Sequence, residues 1–344
     1  MAILKKAPSA GDEADIMASG ETSAVYSFLG MPALVSSTRM RSVMRFVERV
    51  AQSNAAVLIT GESGSGKELI ARALHHYSSR NGKAWIDINC AALPDHLLES
   101  ELFGFEKGAF SGADSAKQGM FELAGKGTLF LDEISELNLK SQSKLLRVLD
   151  GFPHYRLGGT RKIAVDVRIV AATNADLENE VRLGGFRADL YHRLNQVRVM
   201  VPALRERPEE IGPLARLFLE QQNPGLTITE EAVEALEGYT WPGNVRELRS
   251  LMARLAVMAD YTEIGREELP PEFQAVAHPP ESSPCHSLGK LEQEVIFHAL
   301  EEADGRRNRA AEMLGISRRT LIRKLKLYGV NPSRPFVCGG MGVN

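Results

Sequence analysis

Cysteine is scarce in this chain: three occur among 344 residues, at Cys90, Cys285 and Cys338. Their spacing is neither paired nor typical of a metal site, which excludes a disulfide-stapled secreted domain and favours a reducing compartment. Long apolar runs are absent too, so no segment reaches membrane-spanning length. Residues 1–15 lack the apolar core of a signal peptide. These absences predict a cytoplasmic protein with no membrane span.

Net charge is also small, because 41 Lys and Arg residues nearly balance 44 Asp and Glu residues, leaving -3. Its distribution is more informative than its sum. Residues 305–334 carry nine basic residues and one acid, Glu312. A length of 344 residues predicts two or three domains. The sequence therefore predicts a strongly basic C-terminal domain in a mildly acidic protein.

Short apolar segments alternate with helical patterns from residue 34 to about residue 264. Each is followed by a turn or a helix, and the candidate strands are residues 55–60, 84–89, 128–131 and 168–172. Such alternation predicts an α/β fold with a parallel sheet covered by helices. Residues 1–33 are expected to form a flexible lead and the Pro- and Ser-rich residues 270–287 a linker. Helices are predicted from residue 211, with Thr229 capping one of them.

A glycine-rich stretch, GESGSGKE, follows the first candidate strand and opens a helical pattern. Its glycines allow backbone N–H groups to surround phosphate, and Lys67 can reach the β- and γ-phosphates. This context predicts a P-loop that binds and hydrolyses ATP, although a glycine-rich turn before a helix is the alternative. Glu68 stands where the usual pattern has a Ser or Thr that ligates Mg²⁺. The predicted nucleotide-binding residues are Gly61, Glu62, Ser63, Gly64, Ser65, Gly66, Lys67 and Glu68.

Two acidic residues and one asparagine lie at the ends of later candidate strands. Asp132 and Glu133 follow the segment 128–131, so Asp132 can hold Mg²⁺ and Glu133 can polarise the attacking water. Asn174 follows another apolar strand and could sense the γ-phosphate. The alternatives are a solvated turn for the two acids and a simple turn cap for Asn174.

The basic C-terminal segment has helix-turn-helix spacing. Ala310 and Leu314 belong to a short apolar helix face, Gly315 provides a turn, and Leu321 and Leu325 lie on the next helix. The second helix would suit the major groove of DNA, whereas the alternative is a basic solvated helix. Four side chains could contact phosphates or base edges: Arg318, Arg319, Arg323 and Lys324.

Six motifs in order resemble the AAA+ domain of bacterial enhancer-binding proteins, the ATP-dependent activators of sigma-54 RNA polymerase. They are GESGSGKE from residue 61, NCAAL from 89, ESELFGFEKGAFSGA from 99, GTLFLDEI from 127, FRADLYHRL from 186 and WPGNVREL from 241. Together they span roughly residues 34–265. The C-terminal module is similar to the Fis-type helix-turn-helix that ends such activators.

The resemblance implies further roles. Glu68 is the family's usual residue after the lysine. Asn89 matches the residue that restrains the catalytic glutamate, and Arg246 matches a second sensor that reaches the nucleotide from a helical lid. Arg187 and Arg193 match arginine fingers supplied to a neighbouring subunit, although each could instead form a surface salt bridge within one helix.

The hexapeptide GAFSGA resembles the loop, normally GAFTGA, that touches sigma-54; without the resemblance it could be any loop with a buried Phe. Ser111 replaces the usual Thr, which keeps the hydroxyl and loses a methyl, so function is expected to survive with slightly weaker packing. Residues 154–162 match a second inserted loop, with Gly158 and Gly159 as a hinge. The predicted contact residues are Gly108, Ala109, Phe110, Ser111, Gly112 and Ala113.

The resemblance thus implies a sigma-54-dependent activator that binds enhancer DNA and uses ATP and Mg²⁺ in a hexameric ring. Its expected parts are an α/β subdomain (34–205), a helical lid (206–269), a linker, a DNA-binding domain (288–331) and a tail (332–344). Another AAA+ remodelling ATPase, or a DNA-binding regulator that uses ATP only for assembly, is the alternative. Because residues 1–33 are too short for a receiver domain, control is expected to come from a separate regulatory protein or from the expression level.

Overall fold

The computed structural model describes residues 24–259 and 262–274, together with residues 303, 309, 310, 321 and 325. The chain divides into two compact units, residues 1–276 and 277–344. Within the described part, no helix is long and apolar enough to cross a membrane.

A five-stranded parallel sheet forms the centre of the first unit, which confirms the predicted α/β fold. Its strands are β3 (Val57–Thr60), β4 (Trp85–Asn89), β5 (Thr128–Asp132), β6 (Arg168–Thr173) and β7 (Val197–Met200). Their spatial order is β4-β5-β6-β3-β7. The central strands β3, β5 and β6 are buried almost throughout, as expected when helices cover both faces. All five carboxyl ends meet at one edge, where open α/β sheets bind ligands.

Helices cover the sheet and supply most of a second hydrophobic core, in the lid. Those around the sheet are α1 (Thr38–Ala51), α2 (Lys67–His76), α3 (Asp95–Phe103), α4 (Met120–Leu123), α5 (Leu139–Leu149), α6 (Leu177–Leu183) and α7 (Ala188–Leu194). The helical lid contains α8 (Ile211–Gln222), α9 (Glu230–Glu237) and α10 (Asn244–Met258), with β8 (Thr227–Ile228) and β9 (Glu263–Ile264) paired beside them. As predicted, Thr229 caps α9 by accepting a hydrogen bond from the backbone N–H of Ala232.

The flexible lead predicted for residues 1–33 is wrong from residue 24 onwards. Strands β1 (Ala24–Phe28) and β2 (Met31–Val35) form an antiparallel hairpin. Phe28 is buried and its ring packs edge-on against His76 and Tyr77 at the end of α2. Burial of this apolar side chain gives the segment a reason to be ordered.

The linker predicted for residues 270–287 is also wrong at its start. Residues 271–274 form the short helix α11 (Pro271–Gln274). Phe273 is buried 4.5 Å from the Tyr239 ring and 5.4 Å from the Trp241 ring, measured between centroids. One aromatic anchor therefore holds these residues on the lid, despite the neighbouring prolines. The rest of the predicted linker lies outside the described residues.

Candidate functional site

The P-loop connects the carboxyl end of β3 to the first turn of α2. Gly64 and Gly66 have positive φ angles of 74° and 104°, a conformation that favours glycine. Lys67 is almost fully buried, and its Nζ donates to the carbonyl oxygens of Gly61 and Glu62 at 3.1 and 3.3 Å. Backbone N–H groups at the start of a helix, together with this ammonium, form a site for the phosphates of a nucleotide.

Two neighbouring strands bring the predicted catalytic groups to the same edge. Nζ of Lys67 lies 3.7 Å from Oε1 of Glu133, which directly follows β5. The other oxygen of Glu133 accepts a hydrogen bond from the backbone N–H of Asn174, at 3.2 Å, just after β6. Glu133 has a φ of 50°, so the chain turns sharply where its carboxylate is presented. Lys67, Glu133 and Asn174 therefore lie together, with Asn174 contributing its backbone N–H; the predicted role of its side chain as a γ-phosphate sensor stays a prediction.

Asn89 contacts a different acid from the one implied by the resemblance. At the end of β4 its Nδ2 donates to Oδ2 of Asp132 at 3.3 Å, rather than to Glu133. Its Oδ1 accepts from the backbone N–H of Ala91, which fixes the amide orientation. Register explains the contact, because Asn89 lies opposite Asp132 on the paired strands β4 and β5.

The acids beside the P-loop suit a divalent cation. Burial and the neighbouring Glu133 carboxylate raise the pKa of Asp132, and Glu68 adds to this effect while Lys67 opposes it. Clustered carboxylates of this kind are relieved by a bound cation, and Mg²⁺ takes carboxylate and phosphate oxygens together. Among the described residues, no group of three or more His, Cys, Asp or Glu side chains forms a metal site by itself. Asp132 would therefore hold Mg²⁺ jointly with the nucleotide phosphates.

The lid meets the P-loop directly. Nη1 of Arg246, on α10, donates to Oγ of Ser63 at 2.9 Å, and its implied role as a second sensor stays a prediction. The backbone N–H of Val245 donates to the carbonyl of Gly64 at 3.0 Å. A Cβ at Gly64 would collide with the carbonyl oxygen of Gly243. Only glycine at this position allows the lid and the P-loop to approach so closely.

Three functional residues were missed at the sequence level: Asn244, Arg205 and Arg207. Arg205 pairs with the Glu62 carboxylate, with Nη1 2.8 Å from Oε2. Hydrogen bonds from Arg205 and Asn244 lower the pKa of Glu62 to about 2. Arg207 is buried, pairs with Glu210 at 2.9 Å and donates to the carbonyl of Ser65 at 2.6 Å. For Arg205 and Arg207 the only available signal was the charged run LRERPEE, which is typical of a solvated turn, whereas Asn244 lies within the motif WPGNVREL, where only Arg246 was given a role.

The two predicted arginine fingers lie on α7 and at its N-terminus, where they are directed towards α5. Both side chains are exposed. Arg187 pairs with Asp189 at 2.7 Å and donates to Ser143. Arg193 donates to the carbonyl of Leu149 and lies 3.2 Å from Asp150. Their partners within the chain are thus away from its own P-loop.

The GAFSGA loop (residues 108–113) is a tight turn that presents one aromatic ring. The backbone N–H of Gly108 donates to the carbonyl of Ala113, and both Gly108 and Gly112 have positive φ. The Phe110 side chain is 45% exposed and packs edge-on against Phe105, with ring centroids 5.0 Å apart. Ser111 is exposed, so the methyl that it lacks relative to Thr would face solvent.

The second loop (residues 154–162) supports the base of the GAFSGA loop. The backbone N–H of Glu106 donates to the carbonyl of Leu157 at 3.0 Å. Arg156 bridges Glu106 and Glu122, at 3.1 and 2.7 Å. A Cβ at Gly158 would lie 2.9 Å from Cβ of Ala109. The two loops are therefore in contact rather than independent.

Part of the predicted DNA-binding domain can be placed. Ala310, Leu321 and Leu325 are helical and buried, as predicted for core positions of a helix-turn-helix. The predicted DNA-contacting side chains of Arg318, Arg319, Arg323 and Lys324 lie outside the described residues.

Comparison with known proteins gives the same three parts in the same order. Residues 33–200 match the Sigma-54 interaction domain, residues 205–284 an AAA+ ATPase lid domain, and residues 287–328 the Fis family of bacterial regulatory proteins.

Similar proteins and structures agree with these matches. The chain is 46% identical over 314 residues to the regulatory protein AtoC of Escherichia coli, covering 87% of this chain and 68% of that protein. It is 44% identical to the Nif-specific regulatory protein of Klebsiella pneumoniae, of which it spans 59%. The crystal structure of NtrX from Brucella abortus in complex with ADP is similar with a TM-score of 0.66 and 36% identity, covering 87% of this chain and 70% of that one. Another similar NtrX structure contains ATP. The chain therefore belongs to the sigma-54 activator family of AAA+ ATPases.

Proposed function

We propose that this protein hydrolyses ATP in a ring of subunits and uses the energy to remodel the closed complex of sigma-54 RNA polymerase into the open complex. The observation that supports this most strongly is the joining of a P-loop site and an exposed aromatic loop in one compact unit. An ATP site used only for assembly needs no carboxylate to activate water, so the presence of Glu133 beside Lys67 favours hydrolysis.

Each site residue has a proposed step. Lys67 and the P-loop N–H groups bind the phosphates, and Asp132 would hold Mg²⁺ together with those phosphates; the ion would supply positive charge that offsets the charge of the phosphate oxygens. Glu133 orients and polarises the attacking water, and Asn174 fixes its carboxylate through the backbone hydrogen bond. Asn89 orients Asp132. Arg246 reaches the bound nucleotide from the lid as the second sensor.

The positions of Arg187 and Arg193 support the proposed ring. Both are exposed, and their described partners lie on or beside α5 and α7 rather than in the P-loop, which is compatible with action on the site of a neighbour. An arginine finger stabilises charge on the γ-phosphoryl oxygens in the transition state. Hydrolysis would then depend on assembly, for which we propose a hexamer.

The function of the GAFSGA loop should be separable by mutation from that of the ATPase site. Phe110→Ala removes the exposed ring but touches no nucleotide-site residue, so ATP turnover should stay within about twofold while sigma-54 binding and open-complex formation are lost. Glu133→Gln should instead reduce turnover by about 100-fold or more, because the water loses its base. Val257→Ala is a matched control, since this exposed apolar side chain lies on α10, away from both loops. Normal promoter melting by Phe110→Ala would refute the role of the loop.

DNA binding is proposed for the C-terminal unit through its basic residues. Deleting residues 288–344 should abolish tight enhancer binding but retain ATP turnover, because the P-loop and the lid belong to the first unit. The affinity of the intact chain should fall steeply with salt, by about one log unit per log unit of salt for each phosphate contact. Equal enhancer affinity of the truncated and intact proteins would refute this assignment.

A further inference from the structure

Asn244 is a buried polar residue with an unusual backbone. Its relative exposure is 0% and its φ is 52°, in the left-handed region that Asn tolerates better than most residues. It begins α10, although helices rarely begin in this conformation. The protein therefore maintains a strained, buried amide at the point where the lid meets the P-loop.

Every hydrogen-bonding group of this side chain is used, and each bond reaches another segment. Oδ1 accepts from the backbone N–H of Leu204 at 2.7 Å. Nδ2 donates to Oε2 of Glu62 and to the carbonyl oxygen of Ser63, both at 3.1 Å. The donor at Leu204 and the acceptors in the P-loop leave one possible orientation of the amide.

The three bonds join parts of the chain that must move relative to one another if the lid moves. Glu62 and Ser63 belong to the P-loop, whereas Leu204 lies in the segment that leads from β7 into the lid. Arg207 adds a parallel link, from the lid to the carbonyl of Ser65. A buried network of this kind favours one arrangement, because a partly broken network leaves unpaired polar groups.

We propose that Asn244 is a positioning residue of the ATPase, one that fixes the shape of the P-loop to the position of the lid. Movement of the lid then cannot leave the P-loop backbone unchanged, and nucleotide bound by the P-loop favours one lid position. This inference rests on the proposed function, because it assigns a role within the same nucleotide site.

Asn244→Asp is the sharpest single test, since it keeps the Oδ1 acceptor for the backbone N–H of Leu204 and replaces only the Nδ2 donor. The new carboxylate would face the Glu62 carboxylate and the Ser63 carbonyl, so the P-loop should be displaced. In the full-length protein with Mg²⁺, we expect the dissociation constant for ADP to rise about tenfold or more, as for loss of a charge-assisted hydrogen bond. Backbone amides of residues 61–67 should also exchange faster in the ADP-bound state.

Two further variants make the test specific. Adding Glu62→Gln replaces one of the two acceptors that the new carboxylate faces with an amide donor, so part of the lost ADP affinity should return relative to that of Glu62→Gln alone. Asn223→Asp makes the same chemical change at an exposed lid position and should alter nothing. If Asn244→Asp does not fold, Asn244→Gly still removes all three bonds while tolerating the positive φ.

Unchanged ADP affinity in Asn244→Asp or Asn244→Gly, with only a lower unfolding temperature, would mean that Asn244 is merely structural and would overturn the inference. Failure of Glu62→Gln to restore binding would overturn it as well. ADP binding and amide exchange require neither ATP turnover nor sigma-54. The inference can therefore fail or stand independently of the proposed function.

Discussion

At the scale of single residues, the sequence identified the groups with a chemical signature but not those that depend on the fold. Lys67 was predicted from its glycine-rich motif, and Glu133 and Asn174 from the short apolar strands that precede them, because parallel strands present their carboxyl ends at one edge. Asn244 and Arg205 were not, because their P-loop partners are 182 and 143 positions away in the chain. Nothing local in the sequence encodes such a contact.

Another residue outside any sequence prediction is His75, which is buried on α2. Its Nδ1 lies 2.9 Å from Oγ1 of Thr128, whereas its Nε2 has no hydrogen-bond partner in the described structure. Burial, together with the positive charge of Arg168, lowers its pKa to about 4. The folded protein therefore holds this ring neutral at a pH where an unfolded chain would bind a proton.

Stability should fall with acidity through this group. Above pH 6.5 neither state is protonated, but between pH 6.5 and 4 the unfolded state alone takes up the proton. Between pH 7 and pH 5, protonation of His75 in the unfolded state should lower the free energy of unfolding by about 2 kcal/mol. The loss is about 1.36 kcal/mol for each pH unit below 6.5. His75→Gln should remove that part of the pH dependence.

Urea unfolding followed by tryptophan fluorescence can measure this. Both tryptophans, Trp85 and Trp241, lie in the first unit, and Trp85 packs edge-on against His75. Equal pH dependence of the wild type and His75→Gln would show that another group is responsible.

At the scale of elements, strands β3 to β6 were predicted to within two residues at each end, because each is short, apolar and followed by a turn or a helix. Strand β7 was missed, since Arg198 interrupts the short apolar run of Val197–Met200. The hairpin was missed because its stability comes from packing against α2 rather than from its small and mixed residues. Its turn is unusual, with Leu29 at a φ of 50°.

The hairpin should stabilise α2, the helix that begins with the P-loop lysine. Phe28→Ala should lower the free energy of unfolding by about 3–5 kcal/mol, as expected when a buried ring is truncated. Leu29→Ala is the matched control. Its side chain is 41% exposed, so the change should be within about 0.5 kcal/mol. Similar losses for the two variants, measured by chemical denaturation, would contradict the packing role of Phe28.

At the scale of the whole molecule, the chain consists of two units that carry different chemistry. The first contains the sheet, the lid and both inserted loops, and the second contains the buried helical positions Ala310, Leu321 and Leu325. The order of these parts was readable from motifs, because each motif is local. The action of Arg187 and Arg193 on a neighbouring subunit was implied by the motif FRADLYHRL and stays a prediction, because a single chain does not contain the surface that they would contact.

Complementation between subunits tests the proposed ring. Arg187→Ala and Lys67→Ala proteins should each be nearly inactive, because one lacks the finger and the other the phosphate contact. With random mixing of equal amounts, about a quarter of interfaces would combine the two intact halves, so about a quarter of wild-type turnover should return. No recovery in rings shown to contain both proteins would contradict action between subunits.

The close approach of Gly64 to the carbonyl of Gly243 has a consequence for protein engineering. Position 64 belongs to the P-loop, yet the residue that it accepts is dictated by a turn almost 180 positions away in the chain. A phosphate-binding loop transplanted from another ATPase, with any side chain at this position, would collide with the Gly243 carbonyl and displace the lid. Such a chimaera could retain every phosphate contact and still fail, so the loop and the turn at Gly243 should be exchanged as a pair.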